Sequence, residues 1–341
     1  MGTKLFQITL DIGTASMSDF NKFNQISFWD SKSIIITGGA GFLGSVVVKK
    51  IKELGVKSII IPRSADYDLR DRNQIDKIFT ETKPDYLIHL AAHVGGIGAN
   101  QKFPGEFFYD NAMMGIELIE QARRHKVIKT LIVGTVCSYP GDTNVPFDEQ
   151  EFWNGFPEVT NAPYGIAKKM LLVQAQAYRQ QYGMNIVYAI PVNLYGPNDN
   201  FDYDTSHVIP ALIRKFVDAK NNNQKEVINW GTGSATREFL YVEDCADGLI
   251  SCLQDYDSGD PVNIGSGAEI SISKLSAIIQ ELVGYNGRVK WDSSKPDGQL
   301  KRRLNVDKAY RDFGFKSKVK LETGLKKTVD WYRSELRNHN V

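Results

Sequence analysis

Hydrophobic and polar positions alternate in blocks up to about residue 200. Short runs of β-branched and other apolar residues are each followed by a longer stretch with apolar residues every three or four positions. The short runs predict buried strands, and the longer stretches predict amphipathic helices. The predicted strands cover residues 34–36, 58–61, 86–88, 130–133 and 185–190. The predicted helices cover residues 42–54, 73–79, 106–124 and 164–182.

This alternation indicates the fold class. Parallel strands joined by helices form right-handed crossovers, so we predict an α/β fold with a Rossmann-type, doubly wound parallel sheet. After Asn193 the alternation of predicted strands and helices becomes less regular. Residues 198–205 are rich in Asn and Asp and predict a loop. Further helices are predicted near residues 209–219, 242–253, 272–282 and 321–331.

The same pattern predicts the domain organisation. The dinucleotide-binding domain is expected at residues 31–195, with returning segments near 239–265. A smaller mixed α/β substrate-binding lobe is expected at residues 196–238 and 266–335. Residues 1–30 lack the basic start and apolar run of a signal peptide, so we interpret them as an N-terminal extension without an assigned function.

Composition excludes several classes of partner. Lys and Arg number 41 against 40 Asp and Glu, so no net charge favours nucleic acid or an anionic membrane. No apolar stretch is long enough to span a bilayer. The three cysteines, Cys137, Cys245 and Cys252, form no CxxC and no Cys/His group with metal spacing. We therefore expect a cytoplasmic protein without a metal site.

A glycine-rich turn follows the first predicted strand. Gly38, Gly41 and Gly44 form a GxxGxxG that opens the first predicted helix. Glycines at this spacing permit the tight turn, the close approach of a pyrophosphate and close helix–sheet packing. The helix N-terminus then offers free N–H groups to the anion. The pattern predicts dinucleotide binding; the alternative is an ordinary glycine turn.

The end of the second predicted strand bears on the type of dinucleotide. NAD sites usually carry an acidic residue there, whereas this chain has Arg63 and Ser64. A guanidinium pairs well with a 2′-phosphate, so the sequence favours NADP(H) over NAD(H). Arg63 could also be a solvated surface charge. Asp68 and Leu69 follow and could meet the adenine edge.

Tyr164 and Lys168 form a YxxxK at helical spacing, which places both side chains on one face. We expect the Lys168 ammonium to lower the pKa of Tyr164 and to hold the ribose, so that the phenol exchanges a proton with a substrate carbonyl. Thr135 ends the fourth predicted strand, where ligands bind in open α/β sheets, and could hydrogen-bond the same oxygen. A Tyr and a Lys at this spacing are otherwise common surface residues.

These motifs together resemble the extended short-chain dehydrogenase/reductase superfamily and, within it, the GDP-L-fucose synthase family. The resemblance covers roughly residues 33–332. Its longer motifs are far more specific than a glycine pattern. Beyond the glycine turn, Thr135 and YxxxK, it is carried by residues 89–97, 160–164, 191–197, 199–201, 206–210, 237–240 and 295–298.

The resemblance implies a reaction. The family inverts C3 and C5 of GDP-4-keto-6-deoxy-mannose and reduces the C4 ketone with NADPH. Inversion needs a base and an acid on opposite faces of the sugar, and Cys137 and His207 match the family's cysteine and histidine. Without the resemblance, a packing cysteine and a helix-capping histidine would be the simpler interpretation. The family's enzymes commonly form homodimers through two helices per subunit; residues 106–124 and 164–182 are the candidates.

The resemblance and the motifs together predict two sets of binding residues. The predicted cofactor-binding residues are Gly38, Gly39, Ala40, Gly41, Phe42, Leu43, Gly44, Arg63, Asp68, Leu69, Leu90, Ala91, Ala92, Val133, Gly134, Thr135, Val136, Lys168, Pro191, Val192, Asn193, Leu194 and His207. The predicted substrate-binding residues are Asn193, Lys215, Trp230, Arg237, Lys295 and Asp297. For the last five, surface ion pairs or a core aromatic are the alternatives.

Two positions depart from the family pattern. Thr135 stands where the family usually has Ser, and Lys215 stands where it has Arg. The added methyl group narrows the sugar pocket, and Lys lacks the planar fork of Arg. The substrate could therefore be another GDP-sugar such as a heptose, and the enzyme could be reductase-only or epimerase-only. A non-catalytic NADP-binding regulator is a separate alternative, which the intact Tyr164 and Lys168 disfavour.

Overall fold

The protein is described here by a computed structural model that covers residues 28–203, 205–295, 297 and 299–339. The predicted N-terminal extension therefore lies almost entirely outside the described residues. The strands are β1 Ser33–Thr37, β2 Ser58–Ile60, β3 Tyr86–His89, β4 Lys129–Val133, β5 Ile186–Pro191, β6 Asn193–Tyr195, β7 Glu226–Trp230, β8 Thr236–Tyr241, β9 Pro261–Ile264, β10 Glu269–Ser271, β11 Arg288–Asp292 and β12 Lys301–Arg302. The α-helices are α1 Phe42–Glu53, α2 Arg72–Thr82, α3 Ile97–Lys102, α4 Pro104–Arg124, α5 Ala162–Tyr182, α6 Val208–Asn221, α7 Val242–Asp255, α8 Ile272–Val283, α9 Asp307–Phe313 and α10 Leu321–His339.

Six parallel strands form the central sheet in the order β2-β1-β3-β4-β5-β9. Successive strand residues face opposite sides of a sheet, so each face buries its own set of side chains. Ile34 and Ile36 share a core with residues of α1, whereas Ile35 packs with Phe79 of α2 and Leu118 of α4. Helices therefore cover both faces, as buried all-parallel sheets require.

A second group of strands lies beyond this sheet. Strand β8 pairs with β6, β10 and β12, and β7 pairs with β11 in parallel. Helices α6, α8 and α10 supply a separate hydrophobic core that includes Phe216, Ile279 and Leu325. Because β6 follows β5 directly and pairs with β8, the second core is joined to the carboxyl edge of the main sheet.

The predicted α/β class with a Rossmann-type parallel sheet is confirmed. The predicted strands and helices in the first 200 residues are all present, although several extend beyond their predicted bounds. Short elements were not predicted: α3, α9 and the 3₁₀ segment Glu149–Trp153. Such elements are too short for an amphipathic period to show. Within the described ranges, no helix is both long and apolar enough to cross a membrane.

Candidate active site

The glycine turn is packed so closely that Gly38 and Gly44 have no room for a side chain. Gly38 has a φ of +70°, and a Cβ atom there would lie 2.8 Å from the backbone nitrogen of Ala91. A Cβ atom on Gly44 would lie 2.0 Å from the carbonyl oxygen of Gly38. Helix α1 starts after Gly41 with no side-chain cap and no acidic residue in its first turn. Its free N–H groups therefore suit the diphosphate of a dinucleotide.

The predicted 2′-phosphate residue follows β2 beside this turn. A Cβ atom on Gly39 would lie 3.0 Å from Ile61 Cγ2, and the exposed Arg63 comes two residues later. Asp68 is engaged in the protein itself: its carboxylate pairs with the Arg70 guanidinium at 2.8 Å, and this hydrogen bond lowers the pKa of Asp68. Leu69 is buried among the side chains of α2 and α4. Arg63 is thus better placed than Asp68 or Leu69 to meet a ligand.

Three further groups of predicted cofactor residues lie at the carboxyl ends of β3, β4 and β5: residues 90–92, 133–136 and 191–194. The backbone N–H of Ala91 donates to Thr37 Oγ1 at 3.2 Å, which holds the segment after β3 against the glycine turn. After β5, the N–H of Val192 donates to the carbonyl of Ile264 at 3.0 Å. The Asn193 amide donates to the carbonyl of Glu238 at 3.1 Å. All three segments therefore end at one edge of the sheet, where ligands bind in this fold.

Thr135, Tyr164 and Lys168 meet at the same edge. Thr135 follows β4, and the other two lie on the first turns of α5. Protein atoms crowd the Tyr164 hydroxyl, so burial raises the pKa of Tyr164; the nearby Cys137 raises it further, and a hydrogen-bonding interaction with Thr135 opposes both. The prediction that Lys168 lowers this pKa is therefore wrong, because desolvation of the phenol has the largest effect. At neutral pH Tyr164 holds its proton and can donate it.

Contacts between β4, β5 and α5 fix this geometry. The Ser138 hydroxyl donates to the carbonyl of Gly165 at 2.8 Å. A Cβ atom on Gly165 would lie 2.5 Å from the carbonyl oxygen of Cys137, so glycine is needed for this approach. The hydroxyl of Tyr188 donates to the Lys168 carbonyl at 2.8 Å. These hydrogen bonds hold the N-terminal turns of α5 against the end of β4.

Lys168 is 2% exposed, and burial lowers its pKa to about 8. An unfolded lysine titrates near 10.4, so the unfolded chain binds more protons between these two values and the free energy of unfolding rises with pH. We expect a gain of about 2 kcal/mol between about pH 7.5 and about pH 9.5, relative to Lys168→Met. Urea unfolding of both proteins at the two pH values measures it. In the surface variant Lys52→Met, the free energy of unfolding should rise with pH as steeply as in wild type. An equally steep rise in Lys168→Met would contradict the prediction.

Cys137 lies in the 3₁₀ turn after β4 and is half-buried. Its Sγ atom is 3.6 Å from Nη1 of Arg302. Arg302 lies opposite Arg237 in the pairing of β12 with β8, and Arg237 also interacts electrostatically with Cys137. Two guanidinium groups, those of Arg302 and Arg237, thus lie near the Cys137 thiol. Burial lowers the pKa of Arg237 to about 10, so it still carries its charge at neutral pH.

The predicted substrate residues form a continuous line leading away from Cys137. Nη2 of Arg237 donates to the carbonyl of Asp297 at 3.1 Å. The Asp297 carboxylate accepts from the backbone N–H and the hydroxyl of Thr232, both at 2.7 Å, and these bonds lower the pKa of Asp297. Its neighbours Pro296 and Gly298, which belong to the family motif, lie outside the described residues.

Trp230 marks the far end of this line. It is 68% exposed, which excludes the core-aromatic alternative. The ammonium groups of Lys215 and Lys295 lie over its ring, at 5.9 Å and 5.6 Å from the centroid. An exposed indole with two ammonium groups near its ring offers a flat surface to a nucleotide base, and the ammonium groups offer positive charge to phosphates.

His207 precedes α6 and is exposed to solvent. Its side chain makes no capping hydrogen bond, so the helix-capping alternative is not what the structure shows. A Cβ atom on Gly96 would lie 3.5 Å from the carbonyl of Ser206, which places His207 beside the loop that follows β3. Part of the surface of this histidine is open to solvent, but the protein atoms packed around the ring disfavour the charged form and lower the pKa of His207. The imidazole is therefore mainly neutral at pH 7.

Sequence reasoning missed two residues of this region. Arg302 belongs to the run Lys301-Arg302-Arg303, which resembles a solvated basic stretch in the sequence. Glu238 is fully buried, and its carboxylate accepts from the backbone N–H groups of Gly267 at 2.7 Å and Leu304 at 2.6 Å. This contact ties β12, and with it Arg302, to β8. The signal that the sequence offers is the position of Glu238 between Arg237 and the apolar pair Phe239-Leu240, because a charged side chain that a strand buries needs partners.

Comparisons with known proteins agree on one family. Residues 34–265 match the NAD dependent epimerase/dehydratase family. GDP-L-fucose synthase 1 of Arabidopsis thaliana is 39% identical over 92% of this chain and 98% of its own length. GDP-L-fucose synthase of Escherichia coli K12 is 35% identical over 88% of this chain and 96% of its own length.

Solved structures extend the similarity to the whole fold. A GDP-L-fucose synthetase from Naegleria fowleri bound to NADP superposes with a TM-score of 0.83 at 30% identity, covering 90% of this chain and 95% of its own. A GDP-6-OMe-4-keto-L-xylo-heptose reductase from C. jejuni superposes with a TM-score of 0.84 at 28% identity, covering 89% of this chain and 98% of its own.

Proposed function

Because the chain belongs to the NAD dependent epimerase/dehydratase family and is similar to its GDP-L-fucose synthases, we propose that it is an NADPH-dependent GDP-sugar 3,5-epimerase and 4-reductase. The proposed substrate is GDP-4-keto-6-deoxy-mannose or a close GDP-4-keto sugar. The observation that carries the proposal is that Tyr164, Thr135 and Cys137 lie together at the carboxyl edge of the sheet. The glycine turn, in which Gly38 and Gly44 have no room for a side chain, lies at the same edge.

The glycine turn and the start of α1 would hold the diphosphate of NADP(H), and the exposed Arg63 would meet the 2′-phosphate. Lys168 would hold the ribose. The neighbour from Naegleria fowleri is bound to NADP and supports this choice over NAD(H). The bound cofactor supplies the hydride that reduces C4 of the sugar.

In the reduction, Tyr164 donates its proton to the oxygen of the C4 ketone as that oxygen gains negative charge. Because burial raises its pKa, the phenol keeps its proton until negative charge develops on the ketone oxygen. Thr135, whose hydroxyl also accepts from the Cys137 N–H at 3.2 Å, donates a second hydrogen bond to the same oxygen.

In the epimerisation, the thiolate form of Cys137 removes the proton from a carbon next to the ketone and becomes a thiol, and the protonated form of His207 returns a proton from the other face and becomes neutral. Tyr164 and Thr135 stabilise the intermediate enolate because they contact the ketone oxygen. The two proton-transfer residues come from different elements, the turn after β4 and the start of α6. That separation suits attack from opposite faces of the ring.

The line from Arg237 to Trp230 would bind the GDP part. Arg237 can pair with a phosphate through its planar fork, while Lys215 and Lys295 add point charges beside the exposed Trp230 ring. Asp297 orients Arg237 through its carbonyl and retains free lone pairs for a sugar or guanine donor. Asn193 would contact the sugar at the end of β5.

The test is Cys137→Ser with GDP-4-keto-6-deoxy-mannose and NADPH in deuterated water. Wild type should consume NADPH and incorporate deuterium at C3 and C5. In Cys137→Ser we expect exchange to fall about 100-fold or more, because a hydroxyl is a far weaker base than a thiolate, while hydride transfer falls less. Mass spectrometry follows exchange and absorbance follows NADPH.

Three results would change the proposal. Equal loss of exchange and hydride transfer would remove Cys137 as the base. NADPH consumption without deuterium in wild type would leave a simple reductase. Turnover only with GDP-heptose 4-keto sugars would favour that alternative, to which the C. jejuni neighbour points.

A homodimer and a cytoplasmic location complete the proposal. Helices α4 and α5 pack side by side and carry the exposed apolar residues Phe108, Tyr109 and Val173, which a second copy could cover. Light scattering decides between monomer and dimer. The three cysteines are free thiols, as in proteins of reducing compartments.

A further inference from the structure

We propose that Arg302 is a positioning residue that stabilises the thiolate of Cys137 when it forms and aims its sulfur at the sugar. The inference rests on the proposed function, since Cys137 serves there as the base of the epimerisation. Arg302 itself exchanges no proton and acts only through Cys137.

The contact between the two side chains is direct and oriented. Nη1 of Arg302 lies 3.6 Å from Cys137 Sγ, within the range of a hydrogen bond to sulfur. Nε of Arg302 donates to Gln299 Oε1 at 3.1 Å, and the Gln299 amide donates to the carbonyl of Gly141 at 3.0 Å. Gly141 follows the turn that carries Cys137. The guanidinium is therefore held against the thiol by its hydrogen bond to Gln299, which is itself anchored to Gly141.

The other charged groups near Cys137 are engaged elsewhere. Arg237 donates to the carbonyls of Thr236 at 2.7 Å and Asp297 at 3.1 Å. The Asp297 carboxylate is bonded to Thr232. Tyr164 is neutral at pH 7 because burial raises its pKa. Among the described residues, Arg302 is thus the cation that lies within hydrogen-bonding distance of the sulfur.

A cation at this position has a defined chemical effect. Only the thiolate accepts a proton from carbon, and a free cysteine is mostly a thiol at pH 7. In the step, Sγ takes the proton from the carbon next to the ketone, the C–H electron pair becomes the C=C bond of an enolate, and Cys137 becomes a neutral thiol. Returning a proton to that carbon restores the ketone, so no oxidant or reductant is consumed.

The first experiment needs no substrate. Alkylation of Cys137 by iodoacetamide is followed by peptide mass spectrometry from about pH 5 to about pH 10; Cys245 and Cys252 are buried and should not interfere. Arg302→Met should slow alkylation at pH 7 about tenfold and move the midpoint of its pH profile upward by roughly one unit. Arg302→Lys should retain most of the rate because it keeps the charge.

The matched control is Lys301→Met, which removes one positive charge from the adjacent, exposed position of β12. It should leave the alkylation profile unchanged. If Arg302→Met behaves like this control, Arg302 does not stabilise the thiolate. Should Arg302→Met fail to fold, Gln299→Leu tests the same contact, because it keeps the charge and removes the acceptor that orients it; an unchanged profile there would also overturn the proposal.

The second experiment measures deuterium exchange at C3 and C5 and NADPH consumption with GDP-4-keto-6-deoxy-mannose. Arg302→Met should lower exchange at least tenfold, shift its pH profile in the same direction as alkylation, and affect hydride transfer less. A raised KM with an unshifted pH profile would instead assign Arg302 to phosphate binding. Absence of exchange in wild type would end the proposed function, while alkylation would still decide whether Arg302 stabilises the thiolate.

Discussion

Tyr164→Phe is expected to lower turnover about 1,000-fold while NADPH still binds. The substitution removes only the hydroxyl that we propose as the proton donor to the ketone, and general acid catalysis of this kind contributes between about 100-fold and 10,000-fold. The ring keeps its place on the first turn of α5, so the cofactor-binding residues remain where they are. Stopped-flow absorbance measures turnover, and fluorescence titration measures NADPH binding.

The control for this substitution is Tyr182→Phe. Tyr182 lies at the last turn of the same helix and is 45% exposed, so its hydroxyl is far from the cleft. Turnover should be unchanged in this variant. A Tyr164→Phe enzyme with normal turnover would remove the phenol from the mechanism, and a joint loss of turnover and NADPH binding would indicate a structural role instead.

Gly44→Ala is expected to weaken NADPH binding about 100-fold or more and to destabilise the fold by about 2 kcal/mol. The added Cβ atom would lie 2.0 Å from the carbonyl oxygen of Gly38, and backbone cannot rotate away as a side chain can. Helix α1 must therefore move away from the turn, and its N-terminal N–H groups move with it. Calorimetric titration and urea unfolding measure the two effects.

Gly105→Ala provides the comparison for Gly44→Ala. Gly105 lies in α4 with nothing within 4 Å of the added Cβ atom, and alanine favours a helix more than glycine does. Binding should be unchanged and stability equal or slightly higher. If both variants bind NADPH as tightly as wild type, the glycine turn is not the dinucleotide site.

Sequence reasoning located most of the candidate site because its parts lie in short motifs. The turn from Gly38 to Gly44 and the pair Tyr164 and Lys168 are each set by local spacing, which the helix and turn periods determine. Thr135 followed from its place at the end of a predicted strand. The resemblance added Cys137 and His207, which no local pattern would have selected.

Properties that depend on how distant segments pack around a residue could not be predicted from short motifs. The pKa of Tyr164 was expected to be lowered by Lys168 and is instead raised by burial, because desolvation depends on all atoms packed around the phenol. The contact of Arg302 with Cys137 joins residues that lie 165 positions apart. It exists because β12 is paired with β8 and anchored by Glu238.

The sequence alone therefore determined the α/β class, the order of strands and helices along the chain, and the choice of Thr135, Tyr164 and Lys168 as candidate reacting groups. These depend on periodicity and spacing, which act over a few residues. The tertiary structure alone decided which charges face the thiol, how strongly burial opposes ionisation of Tyr164 and Lys168, and how the substrate line from Arg237 reaches Trp230. Those properties arise from distances between segments far apart in the chain, and no local pattern encodes such distances.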